Sequence, residues 1–153
     1  MNRIMLQIVK KHKKKIGVIL FITYLVYVVW ATVLNRYKYP ERVIRLELFW
    51  AFRDYLSGSE KGYIESVQYI KNVIFFIPFG FLIPWKKSIS QVLWMAICSS
   101  AFVETMQFLF MIGECELDDV ISNTFGAFIG FLLYRAIENI IKNRRKKLCL
   151  KEE

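Results

Sequence analysis

Long apolar segments alternate with charged ones along this chain. Residues 16–34, IGVILFITYLVYVVWATVL, contain no charged side chain, and at about 1.5 Å of rise per residue such a helix can cross the hydrocarbon core of a bilayer. Residues 71–85, 89–112 and 120–140 are also rich in apolar side chains. The pattern predicts an all-α membrane protein, with residues 16–140 forming a four-helix transmembrane bundle.

Two of these segments have features of their own. The first follows KKHKKK, as a signal peptide would, but it is longer than a usual signal-peptide core and no small-residue cleavage motif precedes Asn35. We therefore expect a retained span. The second is the shortest and contains Pro78, Gly80 and Pro84, so it is expected to be kinked or to begin earlier, near Tyr63.

Composition supports a membrane protein and the cation distribution orients it. Hydrophobic residues make up 56% of the chain, above the roughly 45–50% of soluble domains. With the amino terminus in the cytoplasm, fifteen Lys and Arg residues flank the inner ends of the spans and seven the outer ends, as expected for cytoplasmic loops. Residues 1–15 and 141–153 are then basic cytoplasmic termini in a bacterial cytoplasmic membrane. The net charge of +9 suits anionic lipid better than nucleic acid, because no nucleic-acid-binding pattern accompanies it.

The loop between the first two spans contains ERVIRLELFWAFRDYLSGS, residues 41–59. Ile44, Leu48, Phe52 and Tyr55 recur there at helical spacing. The pattern predicts an interfacial helix on the outer surface, ended by the SGS segment.

Polar side chains within the apolar segments are expected to gather in the outer half of the membrane. They pair on helix faces at spacings of three or four residues, and a buried carboxylate costs about 2.5–3.5 kcal/mol on insertion scales unless it faces the bundle. The candidate pocket residues are Asn72, Glu104, Gln107, Asp118, Asp119 and Asn123. No cation lies between Lys87 and Arg135, so an ionic partner for Glu104 is expected from the outer loop, at Arg36, Arg42 or Arg45.

Three interpretations of this cluster stay open. It is a binding pocket for an envelope lipid or amphiphile, a catalytic site with Glu104 and Asp119 as acid and base, or a set of interhelical hydrogen bonds. Asp118 and Asp119 also suit a helix amino terminus. A hard-cation site is a minority hypothesis, since neither a calcium loop nor HExxH nor GxSxG is present. No metal and no cofactor is expected. The odd number of cysteines implies no disulfide framework.

The order of motifs along the chain resembles the VanZ family of small bacterial membrane proteins. The resemblance lies in NVIFFIPFGFLIP at residues 72–84, VETMQFLFMIG at 103–113 and LDDVISNTFGAFIG at 117–130. The matching positions are Asn72, Phe76, Pro78, Gly80, Glu104, Gln107, Asp119, Asn123, Thr124, Gly126 and Gly130. Gly126 and Gly130 form a GxxxG pattern, which allows close helix packing.

The resemblance implies a role in the cell envelope, with a link to low-level resistance to the glycopeptide teicoplanin. Two departures from the family pattern concern the outer side. RLELF carries Arg45 and Leu48 where many members have an asparagine and a proline, and MIGECELDD lacks the arginine that often precedes the acidic turn. Besides the binding pocket, a membrane-embedded enzyme acting on a lipid-linked substrate and a non-catalytic packing or assembly partner remain alternatives. The oligomeric state is unknown.

Overall fold

The computed structural model describes residues 3–83 and 88–149, which form five α-helices and two very short strands. The helices are α1 (Arg3–Val29), α2 (Trp50–Leu56), α3 (Glu60–Leu82), α4 (Ile89–Phe110) and α5 (Leu117–Cys149); the strands are β1 (Ile44–Arg45) and β2 (Cys115–Glu116). A π-helical turn, Trp30–Leu34, continues α1. The prediction of an all-α protein is confirmed.

Local sequence signals mark where helices begin. The Ser59 hydroxyl accepts the Gly62 N–H at 3.3 Å at the start of α3. Ser88 and Gln91 form a reciprocal capping box at the start of α4, which satisfies backbone donors that have no partner within the helix. The helix α3 therefore starts well before residue 71, as the alternative start near Tyr63 implied, and it continues through Pro78.

The core of the bundle lies where α1, α3, α4 and α5 meet. The Phe21 and Phe79 rings pack edge to face with centroids 5.6 Å apart, a favoured aromatic geometry. Buried side chains of this cluster come from all four helices and from Ile83, which directly follows α3: Phe21, Phe76, Phe79, Ile83, Val92, Ala96, Ala127 and Phe131.

Glycines bring α3 and α5 into direct backbone contact. A Cβ atom at Gly126 would lie against the carbonyl oxygen of Val73, and one at Gly80 would lie against that of Ala127. Gly130 meets the carbonyl of Ile77 in the same way. Small residues of this kind let membrane helices pack closely and form weak Cα–H···O contacts. The packing role expected of the GxxxG pattern therefore has a specific partner surface on α3.

Among the described residues, three helical segments are long and apolar enough to cross a membrane: Lys14–Leu34, Ile89–Phe110 and Leu117–Arg144. Only 17% of the first segment is buried within the protein, so most of its apolar surface needs another apolar medium. Helix α3 is not among the three, because Glu60, Lys61, Glu65 and Lys71 occupy its first half. A fourth span over residues 71–85 stays a prediction, and residues 84 and 85 lie outside the described part.

The loop helix is shorter than predicted, and the side chains that it buries within the protein are Trp50 and Ala51. Only Trp50–Leu56 is helical, while Ile44 belongs to β1 and pairs in parallel with Cys115 of β2. Ile44 and Leu48 of the predicted apolar face are 57% and 51% exposed, whereas Trp50 is 3% exposed. The prediction of a helix over residues 44–55 was wrong, because backbone pairing with β2 holds Ile44 and Arg45 in strand conformation.

Substituting Gly126 by Ala tests the contact between α3 and α5. The new methyl group would press on the Val73 backbone, which can only yield if the helices separate. Overpacking usually lowers the free energy of unfolding by about 1–3 kcal/mol, and we expect a decrease at or above the upper end of this range. It is measured as a fall in Tm of the detergent-solubilised protein. The matched control is Gly113→Ala, where the nearest atom is the Gln107 Oε1 at 3.3 Å, a side-chain atom that can move. Equal Tm values for the two variants would contradict the proposed close contact.

Candidate functional site

Five of the six predicted polar residues, all except Asn123, lie at one end of the bundle, where α4 ends and α5 begins. Asn72 of α3 donates from Nδ2 to Asp119 Oδ1 of α5 at 2.7 Å and accepts at Oδ1 from Gln68 Nε2 at 3.5 Å. The amide therefore links two helices whose backbones already touch. We call this part of the molecule the polar end.

Glu104 is 3% exposed and is held by the backbone rather than by a cation. Its Oε2 accepts the N–H of Glu116 in β2 at 3.1 Å. No ion pair between described residues involves Glu104. Of the three expected partners, Arg42 and Arg45 were wrong, because these guanidinium groups contact Phe108 and Glu114 respectively. Arg36 acts on Glu104 electrostatically, without forming an ion pair among the described residues.

Gln107 connects α4 to the end of α1. Its side chain is 3% exposed, and Nε2 donates to the carbonyl oxygen of Thr32 at 3.1 Å. Thr32 belongs to the π-helical turn, and such turns leave the regular helical hydrogen-bond pattern. Glu104 and Gln107 thus share one buried face of α4 but bind different elements.

Asn123 lies deeper and apart from the others. Its Nδ2 donates to Ser100 Oγ at 2.8 Å, an interhelical hydrogen bond between α5 and α4. Both residues are buried, and neither lines the cavity described below. Thr124, next in sequence, bonds its own helix at the Val120 carbonyl. Asn123 Nδ2 and Thr124 Oγ1 thus form an interhelical and an intrahelical hydrogen bond, while the buried Asn123 Oδ1 has no partner among the described residues.

A cavity of about 280 Å³ opens at the polar end. Of the six predicted pocket residues, Gln107, Asp118 and Asp119 line it, while Asn72 and Glu104 stand behind the lining and hold Asp119 and Glu116. The complete lining comes from α2, α3, α5, the end of α4 and the connecting segments: Arg36, Tyr39, Trp50, Ala51, Ile64, Glu65, Gln68, Tyr69, Gln107, Glu114, Glu116, Asp118 and Asp119.

The loop of residues 35–49 covers this end through backbone bonds. The Tyr39 N–H donates to the Met111 carbonyl at 2.6 Å, and the Cys115 N–H donates to the Val43 carbonyl at 2.9 Å. The pairing of β1 with β2 adds Arg45 opposite Glu116. The loop is therefore joined to the turn between α4 and α5, which contributes the lining residues Glu114 and Glu116.

Arg45 neutralises part of the acidic turn. Its Nη2 lies 2.7 Å from Glu114 Oε2 and its Nε lies 3.9 Å from Glu116 Oε1. The guanidinium also stacks over the Trp50 ring at 4.0 Å from the centroid, a favourable cation–π distance. Trp50 Nε1 in turn donates to Glu116 Oε2 at 3.1 Å. Arg45, one of the departures from the family pattern, thus supplies a cation to a turn that carries none of its own.

The protonation of Glu116 is shifted by its surroundings. Burial, as the main cause, and the negative charge of Asp119 raise the pKa of the Glu116 carboxyl to about 7, against the opposing hydrogen bond from Trp50. Nearby Glu65 and Glu114 act in the same direction as burial. Such a group changes its charge near neutral pH.

Asp118 differs from the other carboxylates at this end. It is 3% exposed, and neither of its side-chain oxygens has a hydrogen-bond partner among the described residues. Asp119, Glu114 and Glu116 each accept at least one hydrogen bond. In the described part of the chain, no three His, Cys, Asp or Glu side chains converge to hold a metal ion.

Several residues that line the cavity were not predicted from the sequence. Glu65 and Gln68 lie seven and four residues before Asn72, on the same face of a helix, so extending α3 toward Tyr63 would have found them. Trp50 and Glu116 carried no such signal, because their positions depend on the pairing of β1 with β2.

Comparison with known proteins supports the resemblance read from the motifs. The sequence model of the VanZ/LLP1 family matches residues 18–141. Protein VanZ of Enterococcus faecium is 32% identical over 134 residues, which cover 80% of this chain and 75% of that protein. No solved structure matches significantly.

Replacing Glu116 by Gln tests the shifted pKa. A folded-state pKa of about 7, raised from 4.5, means that the folded protein binds the proton more tightly, so stability is lost as pH rises between these values. Gln keeps an acceptor for Trp50 and cannot ionise. We expect the difference in Tm, variant minus wild type, to increase by several degrees between pH 5 and pH 8.

The control for this measurement is Glu47→Gln. The Glu47 side chain is 65% exposed and pairs with Arg53 at the surface, so its effect on Tm should stay nearly constant over the same range. An unchanged difference between wild type and Glu116→Gln across pH 5–8 would contradict the assignment.

Proposed function

Because the chain belongs to the VanZ/LLP1 family, we propose that it is an integral protein of the bacterial cytoplasmic membrane that binds an envelope component or amphiphile and lowers susceptibility to teicoplanin. The observation that carries this proposal is the cavity at the polar end, lined by ionisable groups, in a bundle whose exposed helix surfaces are largely apolar. Ionisable groups inside a membrane bundle are costly and commonly serve function.

The proposed topology places the cavity outside the cell. Four spans with both termini in the cytoplasm put fifteen Lys and Arg residues on the inner side and seven on the outer side, in agreement with the positive-inside rule. The end of α1, the end of α4 and the start of α5 then all lie near the outer surface. A ligand from the outer leaflet or the cell wall has direct access to this position.

The cavity suits binding better than catalysis. The proposed acid and base, Glu104 and Asp119, are each engaged by a fixed donor, the Glu116 N–H and the Asn72 amide respectively. Asp119 lines the cavity whereas Glu104 stands behind it. Their placement supports a shaped polar wall, in which Glu104 positions β2 and Asp119 faces the ligand.

Expression in a teicoplanin-susceptible Gram-positive bacterium tests the function. We expect the wild-type protein to raise the minimal inhibitory concentration of teicoplanin and Asp119→Asn to abolish the rise, because a lining charge is lost while an acceptor for Asn72 remains. The control is Glu60→Gln, which removes an exposed carboxylate at the start of α3. Vancomycin is measured in parallel. No change in teicoplanin susceptibility, with wild-type protein confirmed in the membrane, would overturn the resistance function.

Cysteine labelling in intact cells tests the topology. In a variant with its three natural cysteines replaced by Ser, we expect Tyr37→Cys to react with a membrane-impermeant maleimide, since Tyr37 is 94% exposed in the loop 35–49. Lys147→Cys should react only after the membrane is permeabilised. Labelling of both Tyr37→Cys and Lys147→Cys in intact cells would indicate an odd number of spans, and labelling of Lys147→Cys alone would place the termini outside; either result would exclude four spans with both termini in the cytoplasm.

A further inference from the structure

We propose that the cavity at the polar end binds a positively charged organic amine and that Asp118 is its counter-ion. This inference rests on the proposed function, because it takes the cavity as a ligand site, and it specifies the chemical class of the group that enters. An amine here means a primary ammonium group carried on a short apolar chain or on a larger amphiphile.

The position of Asp118 is the first argument. The carboxylate lines the cavity, is 97% removed from solvent and has two oxygens without a hydrogen-bond partner among the described residues. Leaving a buried acceptor unpaired is destabilising, and more so when the acceptor is charged. Asp118 is the second residue of α5, so the helix dipole favours its charge, but the dipole supplies no donor to either oxygen. A ligand with N–H groups would satisfy both.

The charge of the lining is the second argument. Among the described residues, the cavity lining contains one cation, Arg36. It contains five carboxylates: Glu65, Glu114, Glu116, Asp118 and Asp119. Arg45 adds a second cation beside Glu114 and Glu116, and the acidic excess persists. A phosphate or carboxylate ligand would meet several like charges at close range, whereas an ammonium group would be attracted.

The lining also favours an organic cation over a metal ion. No three potential metal ligands converge among the described residues, while three aromatic residues, Tyr39, Trp50 and Tyr69, are part of the cavity lining. The Trp50 ring contacts the Arg45 guanidinium at 4.0 Å and the Lys61 ammonium at 5.7 Å from its centroid, and aromatic rings of this kind stabilise cations. The volume of about 280 Å³ is near the lower limit of small-molecule sites. It suits an ammonium head group with a few carbon atoms.

Isothermal titration of the full-length protein in a neutral detergent tests the proposal with hexylamine as the probe. Hexanol and hexanoate are its neutral and anionic counterparts and report partition into the micelle. We expect hexylamine to bind the wild-type protein at one site and Asp118→Asn at least about tenfold more weakly, because a buried ion pair is broken. Glu60→Gln removes the same charge at an exposed position and should bind as the wild type does.

Two further measurements separate a ligand role from a structural one. Without ligand, Asp118→Asn should unfold at the same Tm as wild type or higher, since it removes an unpaired buried charge, and hexylamine should raise the Tm of the wild type alone. Arg36→Gln alters an exposed residue of the lining and should strengthen hexylamine binding by removing a repelling charge. It tests the charge argument even if Asp118→Asn fails to fold.

Equal hexylamine binding by wild type and a folded Asp118→Asn, or stronger binding of hexanoate than of hexylamine, would overturn the amine assignment. Weaker binding by Arg36→Gln would do the same. These outcomes are independent of the susceptibility assay. Teicoplanin protection that persists without amine binding would refute this inference and leave the proposed function standing, whereas amine binding without protection would refute the resistance function alone.

Discussion

Direct backbone contact between α3 and α5 determines where the other elements of this protein lie. Glycines at positions 80, 126 and 130 remove the Cβ atoms that would hold the two helices apart. In a lipid medium helix association depends on such packing and on interhelical hydrogen bonds, because lipid tails are as apolar as the side chains. The contact also brings the Asn72 amide within 2.7 Å of Asp119. A polar wall therefore results from the same approach that packs the bundle.

The polar end combines this rigid pair of helices with a covering segment held by backbone pairing. The strand β1 contacts β2, and through it Arg45 and Trp50 reach the acidic turn that follows α4. One side of the cavity is thus formed by packed helices and the other by a loop whose position depends on a few hydrogen bonds. Loops placed on a rigid scaffold commonly carry binding residues.

Local charge and overall charge have opposite signs in this protein. The net charge of +9 reflects lysine-rich ends of the chain, whereas the cavity holds more carboxylates than cations. The positive net charge therefore reflects the attraction of the chain to anionic lipid and does not predict the charge of its ligand. Burial and mutual repulsion among the carboxylates raise the pKa of Glu116 to about 7, which makes this end sensitive to pH.

The sequence by itself determined the helical class, the apolar segments and several of the polar residues that join the helices. Those features depend on local periodicity and on the cost of isolated polar groups in an apolar segment. Glu104, Gln107 and Asn123, which are buried, and Asn72, which is half-buried, could therefore be identified as polar positions in apolar segments before any contact was known. The start of α3 near Tyr63 was also readable, and it would have added Glu65 and Gln68.

Only the tertiary structure decided which polar groups face the cavity and which hold its wall. Helical spacing placed Ile44 and Leu48 on the apolar face of an interfacial helix, but a two-residue strand pair between segments far apart in sequence holds Ile44 extended, and Trp50 is buried within the protein. The same pairing presents the Glu116 N–H to Glu104, in place of the expected guanidinium. Asp118 and Asp119 are adjacent and chemically identical in the sequence, yet Asp119 has a donor from Asn72 and Asp118 has none among the described residues. Hydrogen-bond partners are a property of which elements meet in space, and no local pattern in the chain contains that information.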